Sequence, residues 1–168
     1  YDITVMPLIR LWGFYKMEGL KAPSSEEIER VKPYINYRNI EMNANRARIG
    51  KGQEIITGSF IKAYAVDKLK ERMLKLGIND AIVNAGGSTI LAINNEAHPE
   101  WQVAVRNADD DSLLFNLNIS SCSYSTSSQS KTFVEIGGQR YGHILSPKSG
   151  MPSQNKHLGI VSARAMIG

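Results

Sequence analysis

The stretch ITGSFIKAYAVDKLKERMLKLGINDAIVNAGGS, from Ile56 to Ser88, decides how the rest of the chain is read. Its parts are a turn, a helix, a short loop, a strand and a double-glycine turn. Thr57-Gly58-Ser59 offers side-chain oxygens of the kind that cap a helix, just before an apolar-periodic run. Val66, Leu69, Met73 and Leu76 recur at three- and four-residue steps and so share one helix face. Gly77 follows them, where a helix C-terminus favours glycine. Ala81-Ile82-Val83 is short and apolar with strand character, and Gly86-Gly87 ends it.

Lys62 falls one helical turn before Val66, which puts it at the N-terminal end of that apolar face. Backbone N–H groups and the positive end of the helix dipole lie at such a place, and together they favour an anion. From spacing alone the plainer reading is a surface lysine on an amphipathic helix.

Upstream of this stretch, Tyr1 to Phe14 reads as a strand and then a turn, interrupted by Pro7 and Gly13, around a buried Trp12. Ser24 or Ser25 caps a helix with Glu26 and Glu27 in its first turn. Ile28, Val31 and Ile35 face inward, and Pro33 shortens or kinks that helix. Asn39 to Lys51 reads as a hairpin turning near Asn43-Ala44-Asn45, with Arg46 and Arg48 solvated.

Downstream, Ser88 to Asn94 and Trp101 to Asn107 read as successive strands, with Val103 and Val105 facing away from Gln102, Ala104 and Arg106. Asp109-Asp110-Asp111 has the oxygen chemistry of a hard-cation site, yet no spaced carboxylates accompany it and it reads as a solvated turn. Leu113 to Ser121 alternates as a strand. The serine-rich run Ser120 to Ser130 reads as a loop, with Cys122 a small core residue. Lys131 to Ile136 and Gln139 to Leu145 flank Gly137-Gly138 as a hairpin. His143 taken alone reads as a structural histidine near a strand end. His98, beside Pro99, reads as solvated, and His157 falls in a polar loop with no role.

The chain has 168 residues, one domain's worth, with 42% apolar and 21% charged residues, the balance of a soluble globular protein. Its net charge of +4 is spread along the chain, which suits an anionic small molecule and forms no nucleic-acid stripe. Cys122 is the lone cysteine, so neither a disulfide framework nor a thiolate metal cluster is available. No apolar run reaches the length of a membrane span, and the chain does not open on a signal-peptide pattern.

Lys62-Ala63-Tyr64-Ala65-Val66-Asp67 resembles the lysine-glycine-tyrosine-alanine-x-aspartate signature of the FAD:protein FMN transferases, the ApbE-type flavin transferases. Three more stretches resemble that family in the same order. They are Asp2 to Leu8 (DITVMPL) with Leu11-Trp12-Gly13-Phe14, then Val83-Asn84-Ala85-Gly86-Gly87, then His143 to Pro152 (HILSPKSGMP). The matches extend over nearly the whole chain.

The resemblance implies an α/β to α+β fold: a mixed, mostly antiparallel sheet with covering helices, T-fold-like as in that family, in one partial domain over residues 1–168. It implies transfer of FMN from FAD to a Thr or Ser hydroxyl of a target protein, magnesium-dependent, with release of AMP. On the matching positions it assigns His143 and Asp67 to catalysis, the first as general base and the second as an orienting or anchoring group. It assigns Tyr1, Asp2, Lys62, Tyr64 and Leu145 to FAD, and Ser59 to magnesium. The implied partners are FAD and a target flavoprotein subunit carrying a Ser/Thr-Gly-Ala-Thr-like motif, with no nucleic acid. The implied location is bacterial, anchored to the inner membrane or periplasmic. A leading third and a short tail with an Asp-x-x-x-Thr metal element look absent, so the chain is expected to be a fragment. An exposed sheet edge would then favour association, a homodimer being the simplest form.

The chain also departs from the family pattern. Ile56 stands where an aspartate is usual, Ala63 for glycine, Ser128 and Ser130 for glycine and tyrosine after Thr126-Ser127, and Ser146 for aspartate. Ala63 is the milder change inside a helix, while Ile56, Ser128, Ser130 and Ser146 favour an alternative, a catalytically inactive flavin-binding relative. A structural relative that binds neither ligand is the third expectation.

Overall fold

The run Thr89-Ile90-Leu91-Ala92-Ile93 is a strand buried at every position. Alternate residues of a strand point to opposite faces, so this one serves two cores at once. Ile90 and Ala92 join Val103, Val105, Ile119 and Tyr124 on one face. Leu91 and Ile93 join Val66 and Ala165 on the other.

The computed structural model describes residues 1–15, 20–107, 109–129, 132–154 and 157–167. Ser130 and Gly168, and the strand start expected at Lys131, lie outside them. In chain order the helices are α1 (Met6–Leu11), α2 (Ser25–Val31) and α3 (Ile61–Lys75). The strands are β1 (Glu41–Asn43), β2 (Arg46–Arg48), β3 (Ala81–Asn84), β4 (Thr89–Ile93) and β5 (Trp101–Arg106), followed by β6 (Leu113–Ile119), β7 (Ser123–Ser128), β8 (Phe133–Ile136), β9 (Gln139–Gly142) and β10 (His157–Ser162). The chain divides into two compact units. One comprises Tyr1–Thr57 and Gln129–Asn155, the other Gly58–Ser128 and Lys156–Gly168. Among the described residues every strand pairing is antiparallel, in line with the expected mostly antiparallel sheet.

In the first unit, residues 1–14 do not form the expected strand. They form a turn and then α1, with Pro7 in its first turn. Proline breaks a helix interior, but at the first turn its missing N–H would be unpaired anyway, so Pro7 starts the helix. Trp12 is buried as expected, and its Nε1 donates to Gly150 O at 2.8 Å. α2 begins with a full capping box: Glu27 N donates to Ser24 Oγ (3.2 Å) and Ser24 N to Glu27 Oε2 (2.8 Å). A 3-10 turn at Lys32–Tyr34 follows it, with Pro33 inside. β1 and β2 form the expected hairpin, and the double glycine links β8 to β9.

The second unit holds a four-stranded sheet in the order β10-β7-β4-β3 and a ribbon of β5 and β6. Val103 and Val105 are buried while Gln102, Ala104 and Arg106 are exposed, as their alternation predicts. The serine-rich run, expected as a loop, is strand β7, held between β4 and β10. Ladder bonds are made by the backbone, so serine composition does not forbid them. The buried Ser123 satisfies its hydroxyl against Ser162 O and Oγ at 3.2 and 3.1 Å. His157, expected in a loop, opens β10 opposite Ser128. His98 is not a merely solvated residue: its Nδ1 lies 3.0 Å from Asp80 Oδ1 and its ring packs edge-on against Trp101. The triple aspartate is the exposed turn expected, with Asp110 Oδ1 accepting from Ser112 N and Oγ.

α3 differs from its expectation at both ends. It starts at Ile61, after a 3-10 turn at Thr57–Ser59, and its cap residue Phe60 makes no side-chain cap bond. Only Val66 of the four periodic residues is buried. Met73 is partly buried, whereas Leu69 and Leu76 are exposed, because the buried arc runs through Ala63, Val66 and Asp67 instead. Asp67 is 5% exposed and accepts from Ala165 N at 2.9 Å and Met166 N at 3.2 Å, with Arg164 Nε 3.5 Å away.

Two consequences are measurable. The hydrogen bond from Ser24 N holds the Glu27 carboxyl below its ordinary value of 4.5. A depressed folded pKa gives stability that is present above the unfolded value and lost as pH falls through the folded one. The Tm difference between wild type and Glu27→Gln should therefore shrink from neutral pH into acid, and a constant difference would contradict the capping box. Asp67→Asn replaces one accepting oxygen by an N–H donor facing backbone donors, and should cost about 2 kcal/mol in urea unfolding.

Candidate functional site

Each unit carries its own part of the predicted site. In the first unit, Tyr1, Asp2 and Leu145 line one cleft of about 260 Å³ together with Ser146 and Ser153. The structure thus brings together three of the residues assigned to FAD. Tyr1 is exposed and Leu145 is buried in the core beneath. Asp2 is 9% exposed, and its carboxylate is engaged by the backbone. Oδ1 accepts from Thr4 N (2.8 Å) and Thr4 Oγ1 (2.6 Å), and Oδ2 from Tyr37 N (3.1 Å). Asp2 shapes this wall by clamping two chain segments.

His143 precedes the cleft-lining Ile144 by one residue. Both its backbone N (3.2 Å) and its Nδ1 (3.0 Å) reach Thr132 O. A carbonyl has no proton to give, so Nδ1 is the donor, and in the neutral ring Nε2 keeps its lone pair. That is the state a general base needs. The loop after it is closed by Ser146. Ser146 Oγ accepts from Ser149 N at 3.2 Å, while Ser146 O accepts from Gly150 N at 2.8 Å. A hydroxyl can close a short turn as a carboxylate does, more weakly.

In the second unit, Lys62 sits near the start of α3 and is exposed, as the plainer surface-lysine reading has it, and its Nζ donates to Ser88 Oγ at 2.6 Å. Ser88 ends the double-glycine turn, where Gly86 and Gly87 have φ of 70° and 73°, left-handed values that only glycine adopts freely. Gly87 N donates to Asn84 Oδ1 at 2.7 Å, and Thr126 N to Ser88 O at 2.8 Å. An ammonium group, a glycine turn and the motif residue Thr126 therefore meet at one end of the sheet. Tyr64 is not part of this cluster. Two residues along a helix point to nearly opposite sides, and Tyr64 is exposed with Lys68 Nζ 5.9 Å from its ring centroid.

Asp67, assigned to catalysis, is an internal anchor for residues 165–166. Ser59 lies in the 3-10 turn before α3. Among the described residues, no group of three His, Cys, Asp or Glu side chains is placed to hold a metal ion. A hard divalent cation takes about six oxygens, so Ser59 by itself does not make a cation site. Sequence reasoning gave no role to Ser88, Thr132 or Asn84, although Asn84 stands in one of the motifs quoted above. Asn84, three residues before Gly87, carried a turn signal. Ser88 and the Thr132 carbonyl carried none.

A family model described as the ApbE family matches residues 1–166. The FAD:protein FMN transferase of Escherichia coli (strain K12) is 27% identical over 169 residues, covering 95% of this chain and 48% of that protein. The enzyme of the same name from Buchnera aphidicola subsp. Schizaphis graminum is 25% identical, covering 98% of this chain and 51% of that protein. The chain spans about half the length of the curated relatives it matches. Among solved structures, the ApbE protein of Thermotoga maritima superimposes with a TM-score of 0.89 at 28% identity, over 99% of this chain and 56% of that one. The apo flavinyl transferase ApbE of Pseudomonas stutzeri shares the fold, with a TM-score of 0.81 at 24% identity over 99% of this chain and 53% of that one. Motif order, strand topology and a match running nearly end to end agree, and the chain belongs to the ApbE family.

Proposed function

We propose that this chain carries the chemistry named for its relatives: FMN passes from FAD to a Thr or Ser hydroxyl of a target protein, and AMP leaves. The observation that carries the reading is the hydrogen bond between His143 Nδ1 and Thr132 O, which leaves Nε2 as the proton acceptor. In this reading Nε2 takes the proton of the acceptor hydroxyl. That oxygen forms a bond to the FMN phosphorus, and the pyrophosphate P–O bond breaks, with AMP carrying away the bridging oxygen. Such a reaction needs positioning and charge neutralisation more than covalent help from the protein.

Lys62 is assigned to the nucleotide phosphates. Its partner Ser88 is neutral, so the ammonium keeps its charge for an anion. Tyr1, Asp2 and Leu145 are assigned to the flavin nucleotide through the cleft they line. Tyr64 and magnesium at Ser59 belong to the reading through the resemblance alone, and no step is assigned to the ion. The target motif, a homodimer and a membrane-anchored or periplasmic location rest on the resemblance in the same way. Among the described residues, no helix is long and apolar enough to cross a membrane.

One observation favours the second reading, an inactive flavin-binding relative. Ile56, where the family places an acid, packs against the apolar core of the first unit. Mass spectrometry separates the two. The protein expressed from its complete gene is incubated with FAD, magnesium and a peptide bearing a Ser/Thr-Gly-Ala-Thr motif. The enzyme reading expects a mass gain of one FMN, lost on chelation if a divalent cation is required. His143→Ala should slow the gain about 100-fold, the range for removing a general base. Lys62→Ala should weaken FAD use about tenfold, as expected for one charged hydrogen bond. No gain while FAD still binds by fluorescence would establish the flavin-binding relative instead.

A further inference from the structure

The motif Leu11-Trp12-Gly13-Phe14 has no part in the chemistry above, yet it lies against the histidine that does. α1 ends in a two-bond motif: Gly13 N donates to Arg10 O (3.0 Å) and Phe14 N to Ile9 O (3.3 Å). Gly13 has a φ of 79°, the left-handed value this helix end requires, and a Cβ there would fall 2.4 Å from Leu20 Cδ2. The reversal turns the chain so that Trp12 and Phe14, on either side of Gly13, meet alternate residues of the segment leaving β9. Trp12 lies 5.0 Å from Tyr141 between ring centroids, and Phe14 lies 6.5 Å from His143 at 79°, edge to face. Trp12 is itself pinned by its bond to Gly150 O.

Two groups neighbour the imidazole: Thr132 O accepts the hydrogen bond from Nδ1, and the Phe14 ring stands nearly perpendicular to it. We propose that Phe14 is a positioning residue, whose ring holds His143 in the tautomer with the proton on Nδ1 and the lone pair on Nε2. Its effect on the tautomer stands independently of the proposed transfer reaction; its effect on turnover rests on that reading.

Long-range nitrogen–proton NMR of the imidazole tests the tautomer directly, on the chain at about pH 8, where an ordinary imidazole is neutral. The expected result is a single Nδ1–H tautomer in wild type, a mixture in Phe14→Leu, and the wild-type pattern in Phe14→Tyr, which keeps the ring. Thermal unfolding of each variant confirms that it is folded, and Phe14→Met, which also lacks the ring, takes the place of Phe14→Leu if that variant is not. An Nε2–H tautomer in wild type, or an unchanged pattern in Phe14→Leu, overturns the proposal. In the transfer assay, Phe14→Leu should lower kcat about tenfold with KM for FAD unchanged, as for a general base held less well. An unchanged kcat in an active protein also overturns it. If no variant transfers FMN, the proposed function fails while the tautomer result still decides this inference.

Discussion

The constraint from which the second unit follows is that β4 must bury both of its faces. A strand with one wet face could accept cover from one side only. Here Ile90 and Ala92 require the β5–β6 ribbon, and Leu91 and Ile93 require α3. Each large side chain withdrawn from water contributes roughly 1.5–3 kcal/mol, so neither cover is optional for a strand this short. The polar cluster is a consequence. Ser88 is the residue just before β4, and seating Val66 on Leu91 and Ile93 leaves Lys62 one turn away, within reach of that hydroxyl.

The acids of the predicted site have a shared use that their charge does not announce. Asp2 and Asp67 both spend their carboxylates on backbone N–H groups, from Thr4 and Tyr37 in one case and Ala165 and Met166 in the other. A buried carboxylate tolerates removal from water when such donors surround it. These residues tie segments together.

Local signals carried most of the fold that was legible. The serine cap at the start of α2, the glycine pair before Gln139 and the alternation around Val103 each depend on neighbours within a few residues. Errors arose where a residue has two uses. Pro7 reads as a break but starts a helix, and serines read as a loop but let the backbone of β7 pair on both sides. Periodicity chose Leu69 and Leu76 for the buried face, while the contacts of β4 selected an arc through Asp67. Lys62 and His143 were singled out from the sequence through their motifs. Their partners were not, since Ser88 is 26 residues from Lys62 and Thr132 acts through a carbonyl common to every residue type.

The two units interleave along the chain, since each is begun, left, and completed by a later segment. A ribosome releases the chain from one end at roughly 5–20 residues per second. The first unit must therefore wait, with α1 and α2 already made, until the whole second-unit core from α3 to β7 has emerged before β8 and β9 can close it. The second unit in turn waits for β10, leaving a flank of β7 unpaired in the interval. For those seconds the nascent protein displays apolar surface and open strand edge that no folded half can hide.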